Sequence, residues 1–167
     1  MIQDKTIICV SPTGNFHGKE ANPSLPEQPE EIAEEVYRSW NAGAAIAHIH
    51  VRDKLGKGSN DPAIFKEVGR LIREKGCDII IQHSTAPVLG AQEEQGARSL
   101  EAGPEMGSLM AGLGAATFRG ETTVRQCTRP FIENLARKML EMNIKPELEV
   151  MDPTNMETIY ILIDKGL

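Results

Sequence analysis

Two histidines separated by one residue follow an apolar run, and their spacing suits the binding of a metal ion. His48 and His50 come directly after residues 44–47 and precede a charged turn. In a β-strand, side chains at positions i and i+2 point to the same side, so both imidazoles project together with Ile46. Two such rings can chelate one zinc ion, but a catalytic zinc usually has three protein ligands and one open position. The sequence therefore predicts a metal-binding pair whose third ligand lies elsewhere; the alternative is a pair of structural histidines with hydrogen-bonded rings.

Charged side chains around this pair have more than one interpretation. Glu149 lies in a strand-like run at 145–152, on the same face as Glu147. Near two metal-bound histidines, a carboxylate can be a ligand, a hydrogen-bond partner of a ligand or a general base. The alternative is an ion pair with a basic residue at the rim of the site. For Arg52 and Asp53 we predict only a salt-bridged turn.

Hydroxyl side chains stand at the ends of three other strand-like runs. Ser84 is predicted to donate a hydrogen bond to a substrate, and the alternative is a hydroxyl that satisfies the backbone of its own loop. Thr13 and Ser108 occupy comparable positions after two further runs. Polar groups therefore gather where several strands end.

Strand-like and helix-like patterns alternate along the whole chain. Period-2 and continuous apolar runs predict strands at residues 6–11, 44–51, 78–85, 104–112 and 145–152. Apolar residues at spacings of three and four predict helices at residues 29–41, 61–75, 92–101 and 129–142, and a last one from 153 or 154. The stretch 113–125 is rich in Gly and Thr, and we predict a loop there.

This alternation predicts an α/β fold with a parallel sheet and crossover helices. Two architectures compete, a doubly wound open sheet and a (β/α)8 barrel. No G-x-G-x-x-G follows the first predicted strand, which removes the best evidence for the dinucleotide-binding version of the open sheet. Polar residues at the carboxyl ends of several strands are typical of the barrel. The sequence therefore favours a partial (β/α)8 barrel, with residues 1–167 forming one domain of about five β/α units that lacks the C-terminal strands.

Composition excludes several classes of function. The chain has 167 residues, a net charge of −6 and 4% aromatic residues, so neither a basic surface nor a base-stacking platform supports nucleic-acid binding. No apolar run approaches the length of a membrane span, and the N-terminus has no signal-peptide pattern. The three cysteines are widely spaced, which favours reduced thiols in the cytoplasm.

Several segments, taken together, resemble the β-keto acid cleavage enzyme family. The most specific is the string Ala-Gly-Ala-x-x-x-His-x-His-x-Arg-Asp at residues 42–53. Further similar segments lie at residues 11–14, 29–35, 81–85, 104–109 and 145–150. The resemblance is collinear over essentially the whole chain.

The resemblance implies a (β/α)8 barrel that binds a divalent metal, typically zinc. It also implies a reaction in which a β-keto acid and acetyl-CoA give acetoacetate and a new acyl-CoA. His48 and His50 match the metal histidines, and Glu149 matches a carboxylate of the catalytic pocket. Ser84, Ser108 and Thr13 are then expected to contact the substrate. A homo-oligomer is expected from the family.

This sequence departs from the family in three ways. Ala86 and Pro87 stand where members usually have two glycines. Asn15 and Phe16 stand where some members carry a glutamate shortly after the first strand. Members also continue through strands six to eight, which supply a glutamate ligand, an aspartate and an arginine that cannot be located in this chain. Two other functions therefore stay open: a non-catalytic half-barrel that needs a partner chain, and another metal-dependent lyase or aldolase on a similar barrel.

Overall fold

Strands and helices alternate along the chain as the sequence predicts. The computed structural model describes residues 5–118 and 120–167. The strands are β1 (Cys9–Val10), β2 (Ile46–Ile49), β3 (Val51–Arg52), β4 (Gly58–Ser59), β5 (Ile80–His83), β6 (Met106–Met110), β7 (Leu113–Phe118), β8 (Glu121–Gln126) and β9 (Lys145–Glu149). The helices are α1 (Pro29–Asn41), α2 (Pro62–Glu74), α3 (Glu93–Gly96), α4 (Arg129–Glu141) and α5 (Asn155–Asp164), with a 3-10 helix at Ala97–Ala102.

One parallel sheet carries the polar residues of interest. Its five strands lie in the order β1-β2-β5-β6-β9, so each strand pairs with the next parallel strand along the chain. A doubly wound sheet reverses its strand order at a switch point, and no reversal occurs among these five strands. The sheet is therefore part of a (β/α)8 barrel, as the positions of the polar residues predict.

The helices begin where the sequence places their caps. The Asp61 side chain accepts a hydrogen bond from the backbone N–H of Ala63 at 2.9 Å, and Thr128 accepts one from Phe131 at 3.4 Å. Both caps precede a proline in the first turn, where its missing N–H costs no hydrogen bond. The predicted bounds of α1, α2 and α4 are confirmed to within a residue or two.

The helices cover one face of the sheet in two apolar clusters. The first joins α1 and α2 to β2 and β5, and its large buried side chains include Ile32, Val36, Ile49, Phe65 and Ile72. The second joins the 3-10 helix, α4 and α5 to β6, with Leu100, Leu109, Ile132 and Met139 at its centre. These clusters fix the opposite face of the strands, which is the face that bears His48 and His50.

The prediction of a loop at residues 113–125 is wrong. Strands β7 and β8 pair there as an antiparallel hairpin, with Leu113 opposite Gln126. Thr and Val dominate β8 and favour a strand, whereas Gly112 and Gly114 weaken the pattern in the sequence. Gly120 has a φ of 82° at the turn, a conformation that favours glycine.

A second, smaller hairpin of β3 and β4 follows β2 directly. It replaces part of the polar loop that the sequence predicts after His50. Within the described residues, no helix is both long and apolar enough to cross a membrane.

Candidate metal and substrate site

Strand β2 presents His48 because its other face is locked into the core. Ala47 and Ile49 are 0% exposed beneath α1 and α2, while Ile46 and His48 lie on the opposite face and are half-buried. His50 follows the last residue of the strand and continues the alternation. The predicted shared face of Ile46, His48 and His50 is confirmed.

The two imidazoles are arranged as a chelating pair. Their Nε2 atoms lie 3.3 Å apart. Two nitrogens bound to one tetrahedral zinc ion at about 2.0–2.1 Å would be about 3.3–3.4 Å apart. The donor atoms therefore fit a zinc ion without a change of side-chain position.

Gln82 fixes the orientation of the His48 ring. It lies opposite His48 on β5, and its Oε1 is 2.5 Å from His48 Nδ1. An amide oxygen only accepts hydrogen bonds, so Nδ1 donates to Gln82, and the second ring nitrogen, Nε2, faces His50 Nε2 at the proposed metal position. Metal-binding histidines are commonly oriented in this way by an oxygen that accepts from the second ring nitrogen.

The surroundings of His50 keep its ring neutral. Burial, followed by electrostatic interaction with His48, Arg52 and Arg125, lowers the pKa of His50 to about 3. The ring is therefore uncharged near pH 7, and neutral imidazole is the form that binds a metal.

The described residues place no third protein ligand beside His48 and His50. Among residues 5–118 and 120–167, no group of three or more His, Cys, Asp or Glu side chains is placed to hold a metal ion. Glu149 is thus not grouped with the histidine pair as a ligand.

A cavity of about 290 Å³ opens at the carboxyl ends of the strands, which we call the mouth cavity. Both His50 and Glu149 line it, together with Met110 at the end of β6. Residues 14–16, residues 86–91 and the β7–β8 hairpin complete its wall. His50 and Glu149, which the sequence places at the ends of two strands, therefore face one cavity, while the catalytic role of Glu149 stays a prediction.

An ion pair that the sequence analysis missed lies in the wall of the mouth cavity. Arg125 of β8 donates to Glu93 of α3 through Nη2 at 2.7 Å and Nε at 3.4 Å. Burial acts to lower the pKa of Arg125, but the hydrogen bond and charge of Glu93 outweigh it and the net pKa is raised. Burial raises the pKa of Cys127 to about 12, so its thiol stays protonated and donates to Glu93 at 3.4 Å.

Arg52 has a different role from the predicted salt-bridged turn. It is 3% exposed, and its guanidinium donates to Thr13 Oγ1 at 3.2 Å and to the carbonyls of Gly14, His17 and Gly56. The Asp53 carboxylate instead accepts from backbone N–H groups of its own turn. Arg52 therefore holds the loop after β1, and residues 14–16 of that loop line the mouth cavity.

The three predicted substrate-binding hydroxyls all have partners within the chain. Thr13 Oγ1 accepts from Arg52, and Ser84 Oγ accepts from the backbone N–H of Ala86 at 3.2 Å. Ser108 Oγ accepts from the backbone N–H of Thr85 at 3.1 Å. All three are buried and none is in the lining of the mouth cavity. Each hydroxyl still has a proton to donate, and their contact with substrate stays a prediction.

His83 is turned to the helix side of the sheet, which indicates a structural role. Its Nδ1 lies 2.9 Å from the carbonyl oxygen of Ser99, and its ring packs on Phe65 at 4.6 Å between centroids. Burial lowers the pKa of His83 to about 4, so this ring is neutral as well.

A parallel sheet in sequential strand order, with a cavity at the carboxyl ends of its strands, defines the class of protein as a partial (β/α)8 barrel. Within that class the chain belongs to the beta-keto acid cleavage enzyme family, whose sequence pattern matches residues 5–167. The resemblance stated from the sequence is thereby confirmed.

Characterised relatives agree with this assignment. The chain is 36% identical over 151 residues to the 3-keto-5-aminohexanoate cleavage enzyme of Fusobacterium nucleatum, covering 90% of this chain and 54% of the relative. It is 33% identical over 163 residues to the enzyme of the same name from Acetoanaerobium sticklandii, covering 98% and 59%. The 3-oxoadipate:acetyl-CoA acetyltransferase of Cupriavidus necator is 34% identical over 146 residues, covering 87% and 50%. The chain thus spans between half and three fifths of the length of these relatives.

Solved structures support the fold. The apo structure of ObcA matches with a TM-score of 0.72 at 22% identity, and the match covers 86% of this chain and 34% of ObcA. The binary complex of ObcA with oxaloacetate matches with a TM-score of 0.71 over the same shares. At this level of identity the likeness concerns the fold alone.

Proposed function

We propose that this chain provides the zinc-binding and proton-transfer part of an enzyme that cleaves a β-keto acid with acetyl-CoA, giving acetoacetate and a new acyl-CoA. The single observation that carries the proposal is the His48–His50 pair, whose Nε2 atoms stand 3.3 Å apart beside the mouth cavity. Its membership of the family supplies the reaction type.

His48 and His50 would hold the metal. When bound, zinc supplies a Lewis acid that stabilises negative charge developing on the oxygens of a β-keto acid. Gln82 keeps the lone pair of His48 directed to the metal position, and burial keeps His50 neutral. We further propose Ser84, Ser108 and Thr13 as donors to the substrate after their present hydrogen bonds rearrange.

Glu149 is the proposed catalytic residue. Its side chain is half-buried at the end of β9 and lines the mouth cavity with His50. A carboxylate in that position can remove a proton from the carbon between the two carbonyl groups of the substrate.

The proposal also covers domain organisation and assembly. We propose that residues 1–167 form one partial barrel domain and that the protein assembles as a homo-oligomer. All three cysteines are free, which fits the reducing cytoplasm where we place the enzyme.

An assay of acetoacetate tests the proposal. The chain is loaded with zinc and incubated with acetyl-CoA and one of three acids: 3-oxohexanoate, 3-oxoadipate or 3-keto-5-aminohexanoate. Acetoacetate should form only when acid and acetyl-CoA are both present. The Glu149→Gln variant should lose about 100-fold or more in rate, the scale expected for loss of a general base.

Glu147→Gln is the matched control, since Glu147 is an exposed carboxylate on the same strand. This variant should keep its rate. If none of the three acids gives acetoacetate, or if the two glutamate variants behave alike, the proposed function is wrong.

A further inference from the structure

Arg125 and Glu93, two charged side chains in the wall of the mouth cavity, neutralise each other's charge. Among the described residues that line the cavity, Arg125 is the only Lys or Arg side chain. It is engaged by both carboxylate oxygens of Glu93. The side chains of Arg125 and Glu93 are only 22% and 15% exposed, so solvent screens the pair weakly. A ligand would therefore meet an ion pair and no spare cation on this wall.

The rest of the wall is mainly apolar. Phe16, Val88, Leu89, Val124 and Met151 contribute to it. Such a surface favours contact with an aliphatic chain, because burial of apolar area is favourable. A charged group placed there loses hydration without gaining a partner, which is unfavourable.

The side of the mouth cavity that bears His50 and Glu149 also disfavours a charged chain end. On that side lie His50, which is assigned to the metal, and the Glu149 carboxylate, which is assigned to the carbon between the two carbonyl groups, so neither is left to pair with a distal charged group. The Glu93 carboxylate is already bonded to Arg125 and Cys127, so it offers little to a distal ammonium group. Both kinds of charged chain end therefore bind less well than a neutral one.

We infer that the Glu93–Arg125 pair determines substrate class, and that the mouth cavity takes β-keto acids whose distal chain is uncharged. This inference rests on the proposed function. It assigns to the pair a role in specificity: Glu93 cancels the charge that Arg125 would otherwise offer to a distal carboxylate.

Three acids with the same six-carbon chain test the inference. 3-Oxohexanoate has an uncharged end, 3-oxoadipate a terminal carboxylate, and 3-keto-5-aminohexanoate an ammonium group. Their dissociation constants are measured by calorimetry on the zinc-loaded chain without acetyl-CoA, so no turnover is required. The wild-type protein should bind 3-oxohexanoate at least about tenfold more tightly than either charged acid, which corresponds to about 1.4 kcal/mol.

Two substitutions should move this preference in opposite directions. Glu93→Gln leaves the Arg125 cation without its carboxylate partner, so the preference should shift about tenfold or more towards 3-oxoadipate. Arg125→Gln leaves the Glu93 carboxylate alone and should weaken 3-oxoadipate binding further. Glu94→Gln is the matched control, because Glu94 is exposed and lies outside the cavity lining. It should leave all three constants unchanged.

The outcomes separate the two proposals. If no acid binds the folded wild-type chain, the proposed function fails and this inference fails with it. If the acids bind but a charged acid binds as tightly as 3-oxohexanoate, only the inference on specificity is wrong. Should Glu93→Gln fail to fold, Arg125→Gln still decides, and an unchanged ratio in that variant overturns the inference.

Discussion

Strands β2 and β9 both deliver chemically capable side chains to the same end of the sheet, but they are supported very differently. β2 lies between β1 and β5, and its core-facing Ile49 is 0% exposed. β9 pairs with β6 alone within the described part of the chain, and its Leu148 is 39% exposed. The pair that would hold a metal is thus built on an interior strand, and the proposed catalytic carboxylate on an edge strand.

This difference indicates which part of the site is pre-formed. His48 is fixed on one side by the buried core and on the other by Gln82. Glu149 is held by backbone pairing with β6, where it lies opposite Met110. We therefore expect the metal-binding geometry to survive changes around β9, whereas Glu149 is positioned, among the described residues, by pairing with β6.

Truncation of one apolar residue on each strand gives the largest expected effect. Ile49→Ala should lower the free energy of unfolding by about 2–5 kcal/mol, because it leaves a cavity in a closed core. Leu148→Ala should cost only about 1 kcal/mol, since much of that side chain is in solvent already. Urea unfolding followed by circular dichroism measures both. Equal losses would remove the contrast between the two strands.

A glycine that supports the interior strands gives the next largest effect. A Cβ at Gly96 would lie 2.1 Å from the carbonyl oxygen of Thr85 and 2.6 Å from the nitrogen of Pro87, in the turn that follows β5. Gly96→Ala should therefore cost about 1–3 kcal/mol of unfolding free energy.

Gly69 provides the control for this substitution. It lies within α2, where an added Cβ would meet only Ile81 at 3.8 Å. Gly69→Ala should stabilise the protein by about 0.5–1 kcal/mol because alanine favours a helix. A destabilised Gly69→Ala, or a Gly96→Ala variant as stable as the wild type, would contradict this description of the packing.

Loss of the hydrogen bond to His48 should have the smallest effect, confined to metal affinity. Gln82→Met removes the oxygen that accepts from Nδ1 of His48, and zinc affinity should fall by about 10–100-fold. Gln95→Met is a suitable control, because Gln95 is exposed on α3. Competition with a zinc-binding dye measures both variants. Equal affinities in the two variants would mean that Gln82 does not orient the ring.

The histidine pair could be predicted because its geometry is local. Residues two apart in a strand share a face whatever the rest of the fold, so the positions of His48 and His50 follow from the sequence. The alternation of strands and helices similarly predicts the parallel sheet. The glutamine in the apolar run Ile79, Ile80, Ile81, Gln82 is a signal that could have identified the partner of His48.

The contacts that complete the site join residues far apart in the chain. Arg125 and Glu93 are 32 residues apart, and Arg52 binds Thr13 across 39 residues. Sequence spacing carries no information on such pairs, which is why Arg52 was assigned to its neighbour Asp53. The β7–β8 hairpin was missed because its glycines mask a weak strand pattern, and the Arg125–Glu93 pair was missed with it.

Zinc content tests the central claim most directly. The protein is loaded with zinc, dialysed and analysed for metal per chain, alongside His48→Ala, His50→Ala and, as a control, His17→Ala. We expect about one zinc ion per chain in the wild type and in His17→Ala, and almost none in the other two variants. Folded wild-type protein without zinc, or zinc that persists when both His48 and His50 are replaced, would contradict this claim.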